Sequence, residues 1–190
     1  MRVSDFLTHI AVTAPFSSGR VDQIAKALRQ VHVFPTGHRK VDRNVTIPEA
    51  LTFLWILFTG TTPANLQFGL MYLLALEGPE GQQFFNDLVR IFSDPKTLRL
   101  LKSIEVTNNF GAGAFSEITF IDGSTITYGR PGEVKSSAIL TGGYLRKFCL
   151  NLYRRQYNPF EGEHGQTLEE AFEQADPKIF DEPNAVINNH

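Results

Sequence analysis

Gly-Arg-Val-Asp-Gln-Ile-Ala-Lys-Ala-Leu-Arg-Gln at residues 19–30, followed by Phe-Pro-Thr-Gly-His-Arg-Lys at 34–40 and then Arg43, is the stretch from which the fold can be read outward. Val21, Ile24, Ala25 and Leu28 recur at the i, i+3, i+4, i+7 spacing of a helix with one buried stripe. Ser17 or Ser18 can cap its start, and Asp22 places negative charge in the first turn, where the helix dipole favours it. Opposite the stripe stand Gln23, Lys26 and Gln30, flanked by Arg20 and Arg29. Pro35 and Gly37 end the helix, and Arg39, Lys40 and Arg43 make the following loop basic. Over residues 17–43 six Lys/Arg oppose two Asp, a local +4 in a chain whose total is −2.

Just upstream, Phe6, Leu7, Ile10 and Ala11 mark a second short helix, and Ala14-Pro15-Phe16-Ser17 separates the two. Two short helices joined by a tight turn suggest a helix-turn-helix. Its outward donors, with the positive charge, read as a surface for a polyanion.

Downstream, Thr46, Pro48 and Glu49 carry the signature of a helix start, and Leu51, Phe53, Leu54, Trp55, Ile56, Leu57 and Phe58 leave that helix almost no polar face. It must be covered nearly all round, by neighbours or by another subunit. Its apolar run is far short of the ~20 residues needed to cross a bilayer, so no membrane partner is expected. Leu66, Leu70, Leu73 and Leu74 define another helix, and Phe84, Phe85, Leu88, Val89 and Phe92 one more, stopped by Ser93-Asp94-Pro95. The first ~95 residues thus read as a bundle of about five helices.

Near Lys102 alternation replaces helical periodicity. Ile104 and Val106, then Ile118 and Phe120, then Ile126 and Tyr128 give three strands, with residues 108–113 a flexible connection. A three-residue turn at Asp122-Gly123 would pair Phe120 with Ile126 and Ile118 with Tyr128, giving one apolar face. Residues 129–132 end this sheet, and Ser136 and Ser137 fall in a linker. Leu145, Phe148, Cys149, Leu152 and Tyr153 then form a helix bearing a second basic cluster, Arg146, Lys147, Arg154 and Arg155, expected on its solvated side. Residues 159–190 carry eight Asp/Glu against Lys178 alone, so they read as an acidic, partly disordered tail with 184–190 mobile.

The fold class is therefore α+β, mainly α: an N-terminal helix-turn-helix-like bundle, a small antiparallel β unit and a C-terminal helix. The organisation reads as a helical domain at 1–95 with its helix-turn-helix-like unit at 1–45, a β unit plus helix at 96–158, and the tail at 159–190. With 42% apolar and 20% charged residues, 190 residues suffice for one good core or two small ones. One cysteine, Cys149, excludes an internal disulfide framework and fits a reducing compartment, so the expected location is the cytoplasm.

Enzyme chemistry finds no foothold. Gly111-Ala-Gly113 lacks the Lys-Ser/Thr of a phosphate loop and completes no G-x-G-x-x-G. His9, His32, His38, His164 and His190 show no paired metal spacing, and no serine sits in a G-x-S-x-G setting. No catalytic residue, metal or cofactor is expected.

The segments at 20–29, 34–40 and 46–50 resemble the opening of phage- and prophage-borne helix-turn-helix proteins. The layout as a whole is similar to the small terminase subunits of tailed phages. That resemblance implies a non-catalytic, ring-forming protein that recognises viral DNA for packaging in the host cytoplasm. It implies double-stranded DNA as partner, with Arg20, Gln23, Lys26, Arg29, Arg39, Lys40 and Arg43 as the nucleic-acid-binding residues. It further implies a homo-oligomer built through the apolar middle helices and a protein partner docked by the acidic tail. The Pro-Thr-Gly-His-Arg-Lys loop also resembles the wing of MerR-like regulators, so a helix-turn-helix transcriptional regulator is the nearest alternative. A protein–protein assembly factor without nucleic acid is the other.

Overall fold

The structure, a computed structural model, describes residues 1–36, 43–107, 115–130, 136–153 and 185–189. Helices α1 (Val3–Thr13) and α2 (Ser18–Gln30) are separated by residues 14–17. Ser17 caps α2 by accepting the Arg20 backbone N–H at 3.3 Å. Helix α3 (Ile47–Phe58) opens with a capping box, in which the Thr46 backbone N–H donates to Glu49 Oε2 at 2.9 Å. A 3-10 turn (Pro63–Asn65) leads to α4 (Leu66–Ala75), and α5 (Phe84–Ser93) follows. Asp94 then caps α6 (Pro95–Leu100) by accepting the N–H groups of Lys96 and Thr97. Its carboxyl is held below the usual range, chiefly by the Thr97 hydroxyl.

Helix α3 is the pillar. Every residue from Ala50 to Phe58 is buried. Phe53 packs edge-on against Phe6 of α1 (5.3 Å between ring centres) and lies 5.0 Å from Phe34. Phe58 meets Phe16 at 5.2 Å, and Trp55 meets Phe84 of α5 at 5.1 Å. Edge-to-face pairs of this kind add roughly 0.5–1.5 kcal/mol beyond area burial.

Strand β1 (Leu101–Thr107) begins where α6 ends, and β2 (Phe115–Phe120), β3 (Thr125–Gly129), β4 (Ser136–Thr141) and β5 (Ala185–Asn189) complete one antiparallel sheet in the order β3-β2-β1-β4-β5. The chain is α+β and mainly α, as the periodicities imply. Three details differ from the sequence reading. The β2–β3 register sets Ile118 opposite Ile126 and Ser116 opposite Tyr128, two residues from the expected pairing. The apolar face survives because a two-residue shift preserves side-chain direction. The turn is centred one residue earlier than expected, on Asp122, which accepts the Ser124 N–H at 2.8 Å, and Gly123 adopts φ +87°. Second, the sheet does not end at 129–132: β4 enters beside β1 at the centre, and Ser136 and Ser137 belong to it. Third, residues 185–189, expected to be mobile, form β5 against β4.

Helix α7 (Gly142–Tyr153) leaves β4 without a loop. Gly142 is required there, since a Cβ would stand 2.1 Å from the Leu101 carbonyl oxygen. Arg146 corrects the reading of a solvated basic cluster: it is buried, and its guanidinium donates to the Leu101 carbonyl at 2.8 Å. Lys147 is exposed, while Arg154 and Arg155 lie outside the described residues. One contiguous core runs from Met1 and Phe6 through α3 to Tyr128 and Leu152. Among the described residues no helix is long and apolar enough to cross a membrane.

A buried polar tie joins α5 to β3. The Tyr128 hydroxyl donates to Asp87 Oδ2 at 2.7 Å, and Arg90 donates to Oδ1 of the same carboxylate at 2.9 Å. Burial, with that carboxylate beside it, pushes the Tyr128 hydroxyl pKa well up. Tyr128→Phe removes a bond to a charged acceptor and is expected to lower unfolding free energy by about 1.5–3 kcal/mol in urea titration. His9 on α1 stacks on Phe148 of α7 at 6.3 Å, and burial lowers its pKa from 6.5. A depressed histidine pKa means that the unfolded chain takes the proton first. Its contribution is therefore intact above pH 6.5 and lost as pH falls below it. Melting temperatures measured from pH 7.5 to about 5 should decline less in His9→Phe than in the parent protein.

Candidate nucleic-acid interface

Helix α2 presents the candidate surface. Burial of Val21, Ile24, Ala25, Ala27 and Leu28 fixes which side of it meets the core. Gln23, Lys26 and Gln30 are consequently exposed, at spacings that stack them along the outward side. All three are long donors of the kind that reach phosphates or base edges.

The arginines of this region are engaged by the protein itself. Arg20 turns back across the connection between α3 and α4, and its guanidinium donates to the Thr61 carbonyl. Partial burial lowers its pKa while leaving it charged. Behind it lies a polar seam: the Thr59 and Thr61 hydroxyls are 2.8 Å apart, and Thr59 Oγ1 donates to the Trp55 carbonyl at 2.8 Å. At the other end of α2, Arg29 Nε donates to the Pro35 carbonyl at 3.1 Å, and its guanidinium lies over the Phe34 ring, 5.9 Å from the centre. Arg43 pairs with Glu49 at 2.5 Å, the same carboxylate that caps α3, and keeps half of its side chain exposed. Arg39 and Lys40 lie outside the described residues.

The structure thus gathers Gln23, Lys26 and Gln30 on one face, and uses Arg20 and Arg29 as clamps at the two ends of the same helix. Protein-family models, curated proteins and solved structures were all compared with the chain, and none matches.

Other places offer less. Cys149 is buried, and burial raises its pKa, which keeps it a thiol. Among the described residues no three His, Cys, Asp or Glu side chains group to hold a metal ion. A cavity of about 30 Å³ between α3, α5 and the sheet is lined by apolar side chains including Trp55, Phe84 and Leu145. A larger open hollow of about 460 Å³ beside the β3 edge is lined by Glu77, Thr127, Gly129 and Arg130, and Gly129 donates its N–H to the Glu77 carbonyl at 2.9 Å.

Sequence reasoning did not find the partners of the arginines. The Thr61 carbonyl lies 41 residues from Arg20, and a backbone acceptor leaves no mark in a sequence. Arg20→Ala should cost about 1–3 kcal/mol by urea denaturation, because a buried carbonyl loses a charged donor. Lys26→Ala, on the outward face, should change it by less than about 0.5 kcal/mol.

Proposed function

We propose that the chain is a non-catalytic protein that binds double-stranded DNA with the outward face of α2, and that it does so in the manner of the phage packaging subunits its sequence resembles. The observation that carries this reading is the arrangement of α2. Its exposed side chains Gln23, Lys26 and Gln30 are long donors, while the charged groups at its two ends anchor the helix to the protein.

A recognition helix needs both properties. Its outward donors must be available to the duplex, and its attitude must be fixed so that they arrive together. Arg20 and Arg29 serve here as positioning residues. Lys26 and the basic residues Arg39, Lys40 and Arg43 supply charge toward the phosphates, and Gln23 and Gln30 supply hydrogen bonds to phosphate or base edges. With so few cations per copy, binding is sequence-tolerant and gains its strength from several copies acting on one duplex. A homo-oligomer is part of the proposal.

Fluorescence anisotropy with a labelled duplex, at about 50 and about 200 mM salt, tests it. About four phosphate contacts predict a roughly 150-fold weakening per copy across that range. Gln23→Ala/Lys26→Ala and Arg39→Ala/Lys40→Ala should each weaken binding further without altering the melting temperature. Absence of binding at low salt, or an affinity equal to the parent protein's in both double variants, would sink the proposal.

A further inference from the structure

The sheet ends at β3, and the outer edge of that strand is open. The Phe120 N–H donates to the Ser124 carbonyl at 2.9 Å, so the rungs between β2 and β3 run through even-numbered residues, Ile126 and Tyr128 among them. The odd-numbered Thr125, Thr127 and Gly129 therefore aim their N–H and C=O groups away from the sheet. Gly129 shows the direction, since its N–H leaves the sheet to reach the Glu77 carbonyl at 2.9 Å. The chain does not continue that pairing: Pro79, two residues on, has no N–H to offer. Among the described residues nothing bonds the outward main-chain groups of Thr125 and Thr127.

Exposed edges are ordinarily guarded by Lys, Pro, a bulge or an inward-pointing charge. Thr-Ile-Thr-Tyr-Gly of β3 contains none of these residues, and its ladder to β2 runs without a bulge. There is also room beside it, because the hollow of about 460 Å³ lies between Thr127 and Arg130 on one side and Glu77 and Pro79 on the other. A row of alternating N–H and C=O groups is complementary to another extended backbone, as in recognition by strand addition. A phosphate backbone carries no donors for the outward carbonyls.

Side chains around the edge set a sequence preference. On the core side stands half-buried Ile126. On the opposite face Glu105 of β1 and Glu117 of β2 lie directly across from each other, where like charges repel. Neither makes an ion pair among the described residues. Glu117 reaches toward the edge, its Oε2 accepting from the Thr127 hydroxyl at 3.5 Å. A residue opposite Thr127 on an added strand stands only about 4.8 Å farther out, so a Lys or Arg there can meet that carboxylate. Glu77 and Arg130 bring one charge of each sign to the hollow and leave this preference in place.

We propose that the β3 edge takes an extended segment of another protein as an added antiparallel strand, with an apolar side chain beside Ile126 and a Lys or Arg beside Thr127. Antiparallel pairing lets one residue of the segment exchange both main-chain bonds with Thr127, and the residue two further on both bonds with Thr125. The inference does not rest on the DNA-binding reading, since it uses no residue of α2 or of the basic loop.

The probe is a fluorescein-labelled peptide, Gly-Lys-Val-Lys-Val-Gly with blocked ends, titrated with the full chain. Its anisotropy should saturate with a Kd on the order of 100 μM. At about 1 mM unlabelled peptide, amide hydrogen exchange of Thr125 and Thr127 should slow about tenfold. A peptide N-methylated at both Lys nitrogens, which has lost the donors for the outward carbonyls, should bind at least about tenfold more weakly. A Glu-for-Lys peptide should also bind more weakly, and Glu117→Gln should narrow the gap between the Lys and Glu peptides. Thr127→Pro removes an N–H that β2 does not use, so the variant should keep its melting temperature and lose the peptide. Should that variant unfold, the N-methylated peptide on the parent protein gives the same answer. No binding up to about 2 mM overturns the proposal. So does equal binding of the N-methylated peptide, or protection that appears elsewhere but not at Thr125 and Thr127. Copies of the chain that pair through β3 while the peptide stays unbound overturn it too, and assign the edge to a second copy.

Discussion

A helix with no polar side has to be surrounded, and the other elements of this chain are arranged to satisfy that requirement of α3. Its buried run from Ala50 to Phe58 is contacted by α1 through Phe6, by the turn before α2 through Phe16, by α5 through Phe84 and by α7 through Tyr144, 6.0 Å from Phe58. Apolar burial is non-directional, so by itself it would tolerate many arrangements of these neighbours. Specific polar ties narrow the choice. The Trp55 indole bonds the Gly69 carbonyl, Thr59 bonds back to Trp55, and Tyr128 reaches Asp87, so that α3 to α5 and the sheet are indexed to one another as well as packed.

The arginines extend this indexing. Arg20, Arg29 and Arg146 each donate to a backbone carbonyl at the end of another segment, at Thr61, Pro35 and Leu101. A guanidinium is suited to this work because it stays charged when partly buried and its planar donors reach a carbonyl that no N–H can approach. On α2 the consequence is a division of labour along one short helix. Cations near its ends hold it in place, and Gln23, Lys26 and Gln30 are left facing outward.

Much of this was legible in the sequence. The i, i+3, i+4 stripes of α1, α2 and α5 fix which faces are buried, the Thr46–Glu49 capping box marks where α3 begins, and the unbroken apolar run at 51–58 announces a helix enclosed by others. The sheet was half legible. Strands β1 to β3 alternate, but Ser-Ser-Ala-Ile-Leu-Thr of β4 lies inside the sheet between β1 and β5, and the adjacent Ser137 and Ala138, which point to opposite faces, are both buried. Alternation fades when both sides are covered, and β5 is recognisable only through its pairing with β4. At the candidate surface, the exposed positions of α2 followed from periodicity, whereas the turning inward of Arg20 and Arg29 depends on carbonyl acceptors whose location is a property of the folded backbone.

The ring of Phe6 lies 5.3 Å from Phe53 and 5.9 Å from Phe148, so the first helix completes its packing only against α7, the last helix among the described residues. During synthesis α1, α2 and α3 can gather early, but the side of α1 that belongs to α7 stays open until residue 148 has emerged. Closing so long a loop is slow compared with local helix formation. An apolar face left waiting in this way is a natural target for a chaperone, or for the wrong neighbour, in the interval. The helix pair at the N-terminus is thus begun first and finished last, and it cannot be moved to another protein as a ready-made module without taking α7 along.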